Sequence, residues 1–160
     1  MTRRLIVLRH AHATAGGPGL PDHARPLDAA GRAEALAIGH GLVAAGWIPS
    51  AVRTSDAVRA VQTWHGVATA LPEPVPSERS PALYGAGWAR ATTVLADLPD
   101  AVSTALVVGH NPGWEELVAE ATGVSVSLGT AHAALLQGAG ADWAEALAPA
   151  RWRLVGVLRP

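Results

Sequence analysis

Two aliphatic runs, "LIVLRH" (5–10) and "ALVVGH" (105–110), constrain this chain more than any other feature, because each is an unbroken apolar stretch of strand length that ends in a histidine. Runs this short, with no polar interruption, read as strands buried on both faces, as in parallel sheets covered by helices. Longer alanine-rich segments of helical period alternate with the aliphatic runs, which predicts an α/β domain on a mostly parallel sheet. Ligands bind such sheets at the carboxyl ends of the strands. Arg9, His10 and His110 all stand there. Gly109 has no side chain and so allows a close backbone approach to a ligand, and a helix opening at Pro112 aims free N–H groups at an anion.

The remaining elements follow from local signals. Asp28 is placed to cap a helix running to Ala45, with Leu36, Ile38, Leu42 and Val43 as its apolar side and Gly46 closing it. "SAVRTS" (50–55) reads as a strand and 56–71 as a helix, with Arg59 in its first turns. "PEPVPSERSP" (72–81) holds four prolines and cannot be helical. Helices are predicted over 88–98 and 111–123. In the latter, Trp114, Leu117, Val118 and Ala121 share one face and leave Glu115, Glu116 and Glu120 to solvent. Two last strands are predicted at 132–137 and 151–159. The 160 residues, 49% of them apolar, suit a single domain over 1–160 with its own core.

Charge narrows the function. The formal net charge is −1 and no block of like charge occurs, so a nucleic-acid partner is not expected. No stretch reads as a membrane span or a signal peptide, which predicts a cytoplasmic protein without a membrane partner. Cysteine is absent, which excludes disulfide and thiolate chemistry. Lysine is absent too, so any fixed cationic site must be built from the guanidinium forks that suit phosphate.

Four ordered stretches carry a family likeness: "LIVLRHA", "RPLDAAGRAEA", "TSDAVRAVQT" and "LVVGHNP". Together they resemble the histidine phosphatase superfamily over nearly the whole chain, and the short length resembles its SixA-type phosphohistidine phosphatases. The resemblance implies a phosphoglycerate-mutase-like three-layer α/β/α sandwich. It implies His10 as the nucleophile, with Arg9, Arg59 and His110 forming the phosphate pocket and Arg25 as a further phosphate or substrate contact. The implied partner is a phosphohistidine protein or a small phosphorylated molecule, with no cofactor and no metal.

The chemistry of these residue types agrees. Phosphoryl transfer asks for positioning and for positive charge around the equatorial oxygens, which arginines supply. A neutral imidazole nitrogen of His10 can attack phosphorus if the other nitrogen is held as a donor, as by a backbone carbonyl. His110 beside a bound dianion favours its protonated form. Two other functions use the same residues: a phosphate- or phosphohistidine-binding module without turnover, and a metal-dependent hydrolase using His10, His12 and His110. His12 reads as a pocket-rim or merely exposed residue, and Arg25 as either a phosphate contact or a loop anchor. His23, His40, His65, His132 and Arg53 read as structural or surface residues, and Trp88 and Trp114 as core or pocket-wall aromatics. Relative to the family pattern, Ala11 replaces glycine and Asp56 replaces proline. Larger members carry an acidic general acid three residues before a Tyr-Gly pair, where this chain has Pro81; Glu78 and Asp56 are the candidate substitutes.

Overall fold

The computed structural model describes residues 1–160. Six strands form one sheet: β1 (Thr2–Arg9), β2 (Ala51–Ser55), β3 (Ser77–Ser80), β4 (Thr104–Gly109), β5 (Ala133–Ala139) and β6 (Arg153–Leu158). Their order is β3-β2-β4-β1-β5-β6. β1, β4, β2 and β3 are mutually parallel, and β5 runs antiparallel to both of its neighbours. The helices are α1 (Ala29–Ala44), α2 (Val58–Ala68), α3 (Trp88–Ala96), α4 (Gly113–Thr122) and the single turn α5 (Trp143–Ala146).

The aliphatic runs are buried on both faces for a geometric reason. Successive strand side chains point to opposite sides. Leu5 and Val7 of β1, with Ala105 and Val107 of β4, therefore pack into one apolar layer with α3, α4 and α5. Ile6 and Leu8, with Leu106 and Val108, pack into the other with α1 and α2. The result is the expected three-layer sandwich.

Asp28 caps α1 by accepting a hydrogen bond from the Gly31 amide at 2.8 Å. The buried stripe of α1 is Gly31, Ala35, Ile38, Gly39 and Leu42. Leu36, expected on that side, lies off the stripe and is exposed. The proline-rich stretch contains β3, which was not expected; as an edge strand pairing only with β2, it tolerates prolines at its flanks. Arg3 is fully buried, which its position beside the chain start did not suggest. Its guanidinium donates to the carbonyls of Asp100, Val102 and Ala141 at 2.6–2.7 Å and lies 5.6 Å from the Trp143 ring centre. No helix is long and apolar enough to cross a membrane.

Candidate active site

Register brings the two histidines together. β1 and β4 are parallel neighbours with Arg9 opposite Gly109, so the next residues, His10 and His110, leave the sheet at the same level. Their ring centres are 5.2 Å apart. Arg59, from the first turn of α2, is buried beside both. These three side chains, with Arg9, Arg25, His12, Asp22, Asn111 and Thr130, line an open pocket of about 440 Å³ at the carboxyl ends of the central strands.

Hydrogen bonds define the ring tautomers. Nδ1 of His10 lies 2.8 Å from the carbonyl of Ala11, which can only accept, so Nδ1 carries the proton. Nε2 then keeps its lone pair and accepts from Nε–H of Arg59 at 3.3 Å. In His110, Nδ1 accepts from Nη2 of Arg59 at 3.2 Å, and Nε2–H donates to the Ser55 hydroxyl at 2.8 Å. Both rings are neutral in this arrangement. Burial is the main cause: with Arg59, Arg9 and Arg25 adding repulsion, it lowers His10 from 6.5 to about 4. Burial, then His10 and Arg59, lowers His110 to about 3.

Further contacts hold the frame. Arg9 donates from Nη1 to the Leu128 carbonyl at 2.9 Å, which also accepts from Nδ2 of Asn111 at 2.8 Å. Glu115 is half-buried and does not face solvent as expected, because its Oε1 accepts from Asn111 at 2.9 Å and from the Leu128 amide at 2.8 Å. The Thr63 hydroxyl accepts from the Ala11 amide at 2.9 Å and donates to the Arg59 carbonyl at 2.7 Å, tying α2 to the loop after β1.

Other expectations need correction. A Cβ on Gly109 would lie 2.5 Å from the Trp114 indole, so the close neighbour that demands glycine there is a core tryptophan and not a ligand. The amide of Trp114 in the first turn of α4 is already bonded to the His110 carbonyl at 3.0 Å, and the pocket lining ends at Asn111. Glu78 sits on β3 with its Oε2 3.5 Å from Arg53, outside the pocket. Asp56 lies 2.9 Å from Nε2 of His23 and does not line the pocket either. His12 turns its Nδ1 to Asp28 at 2.5 Å, and no three His, Cys, Asp or Glu side chains gather as a metal-holding group. His40 and His65 are exposed. His23 packs edge-on against Tyr84 at the rim, at 5.0 Å.

Asp22 was missed. It accepts from Nε of Arg25 at 3.0 Å, from Nη2 of Arg59 at 3.1 Å and from the Tyr84 hydroxyl. Its sequence signal was faint: a lone acid three residues before Arg25, in the loop between two of the motifs.

No protein-family model matches the chain. An uncharacterized chloroplastic protein of Arabidopsis thaliana is 37% identical over 173 residues, spanning 100% of this chain and 79% of that protein. The solved structure of a protein of Nakamurella multipartitia provisionally assigned as the phosphohistidine phosphatase SixA is 30% identical. It covers 100% of this chain and 97% of its own, with a TM-score of 0.82. The chain belongs to the histidine phosphatase superfamily. A second provisionally assigned SixA structure, from Agrobacterium tumefaciens, is 27% identical over 99% of this chain and 98% of its own, with a TM-score of 0.81. This histidine phosphatase is of the short SixA type with the phosphoglycerate-mutase-like fold, and its activity class is that of a phosphatase.

Proposed function

We propose that this histidine phosphatase hydrolyses a phosphohistidine protein or a small phosphorylated molecule through a covalent phosphohistidine on His10. The observation that carries this reading is the orientation of the His10 ring: Nδ1–H is held by the Ala11 carbonyl, which leaves Nε2 unprotonated and in the pocket, where it accepts from the guanidinium of Arg59 until a phosphoryl group takes that donor. In this reading Arg9, Arg59 and Arg25 bind the phosphoryl oxygens. Nε2 attacks phosphorus in line, the leaving group departs toward the pocket opening, and water then hydrolyses the phosphohistidine. A bound dianion offsets the arginine charges, so His110 takes up a proton and donates to a phosphoryl oxygen from Nδ1. No step calls for a metal or a cofactor.

Acid-labile, alkali-stable label is the signature of a phosphohistidine. A reaction with labelled aryl phosphate, quenched and digested, is expected to leave such label on the peptide containing His10, and His10→Ala is expected to abolish both label and turnover. Label on the His110 peptide overturns the assignment.

A further inference from the structure

Asp22 is the one carboxylate lining the pocket, and phosphate binding alone does not account for it. It engages Nε of Arg25 and Nη2 of Arg59, and its own backbone carbonyl accepts from Nη1 of Arg59 at 2.7 Å. A carboxylate there occupies arginine donors and repels a dianion. Its position suggests what offsets that cost. His10, Arg59 and His110 are less than a tenth exposed and form the floor, whereas the Asp22 side chain is 56% exposed and stands at the mouth with Tyr84. In-line attack from Nε2 places the leaving group on the far side of phosphorus from the floor, at the mouth that Asp22 lines. The Tyr84 hydroxyl and the two arginines lower its pKa to about 2, so at neutral pH it has no proton to give and acts only as an acceptor.

Resting on the phosphatase reading above, we infer that Asp22 is a specificity-determining residue: it accepts the N–H of a protonated nitrogen leaving group, and selects phosphoramidates of imidazole-type bases over phosphate esters carrying a further anion. The step balances without an added proton. The P–N bond of the substrate breaks and its electron pair returns to the leaving nitrogen, so the departing ring becomes neutral while its other N–H stays on Asp22. The new bond from phosphorus to Nε2 makes the His10 ring cationic, with Nδ1–H on the Ala11 carbonyl. One positive charge passes from the leaving ring to His10.

The test compares 1-phosphoimidazole, at a pH where its ring is protonated, with 3-phosphoglycerate in the wild type, Asp22→Asn and Asp22→Glu. Asp22→Asn is expected to lower the ratio of the two kcat/KM values about tenfold or more, the scale of one charge-assisted hydrogen bond, and to tighten tungstate binding. Asp22→Glu keeps the charge and is expected to retain the preference. An unchanged ratio in Asp22→Asn, with both substrates slowed alike, overturns the inference and leaves Asp22 as a prop for the arginines. Absence of turnover in the wild type refutes the hydrolytic reading instead. In that case, displacement of tungstate by the same two compounds from His10→Ala, with and without Asp22→Asn, decides the inference: loss of the preference for 1-phosphoimidazole supports it, and equal preference overturns it.

Discussion

Nε–H of Arg59 donates to Nε2 of His10 at 3.3 Å, so the guanidinium that adds positive charge to the pocket also orients the proposed nucleophile. Nη2 of the same group reaches Nδ1 of His110 at 3.2 Å. One side chain thereby couples the ends of two parallel strands. The coupling works because Arg59 is buried, where charge is poorly screened and rotamers are few.

Arg59→Ala is therefore expected to lower kcat/KM for an aryl phosphate on the order of a hundredfold or more, the scale of losing one preorganised transition-state donor. Arg53 lies six residues earlier, on β2, where it donates to the Val52 carbonyl and pairs with the exposed carboxylate of Glu78, away from the pocket. Arg53→Ala is expected to leave the rate nearly unchanged and to lower the melting temperature only through lost packing of its largely buried side chain, so comparable losses of kcat/KM from the two substitutions contradict the role given to Arg59.

Acid should destabilise the fold through the histidine pair. In the unfolded chain both rings return to their ordinary 6.5, while the folded pocket holds His10 near 4 and His110 near 3. Between those values the unfolded chain binds protons that the folded chain refuses. Stability thus falls as pH drops from 6.5 to about 4 for His10 and on to about 3 for His110, by up to about 1.4 kcal/mol per pH unit for each site. Above 6.5 neither ring adds slope. Melting curves across this window should show His10→Ala losing one site's share of the slope; curves parallel to wild type mean that His10 protonates freely in the fold.

No carboxylic acid in the pocket is placed to protonate a basic leaving group: Pro81 stands where larger relatives carry one, Glu78 is paired on β3 and Asp22 is ionised. General acid catalysis is typically worth about a hundred- to ten-thousandfold. Rates over a graded series of phosphate esters are expected to fall steeply as leaving-group pKa rises, and Glu78→Gln should leave that slope unchanged. A flat series reveals an acid after all.

Gly109→Ala tests the packing under His110. The added Cβ meets Trp114 Cζ2 at 2.5 Å, and the indole is fully buried. Overpacking of this kind costs about 1–3 kcal/mol. A drop in melting temperature of about 2–4 °C per kcal/mol is expected, together with reduced turnover from a displaced His110. A neutral melting temperature shows that the tryptophan yields.

The central strands, the helices that cover them, and the presence of Arg9, His10, Arg59 and His110 at strand ends and a helix start were all legible in the sequence. These depend on local period and on motifs short enough to read along the chain. The likeness to the superfamily rested on the same motifs.

Tertiary structure decided what depends on partners far apart in sequence. Only the β1–β4 register sets the two histidine rings 5.2 Å apart. Asp22 reaches Arg59 across 37 positions and Tyr84 across 62, and neither pairing leaves a periodic trace. Glu115 has the helical spacing of a solvent-facing residue, yet it turns to the Leu128 loop because that loop's amide needs an acceptor. The opposite holds for β3, whose flanking prolines excluded a helix without announcing a strand, while the open edge of β2 supplied the hydrogen bonds that made it one. The residue types present and their order along the chain follow from local chemistry; which of them meet in the pocket follows from chain crossings that only the folded sheet determines.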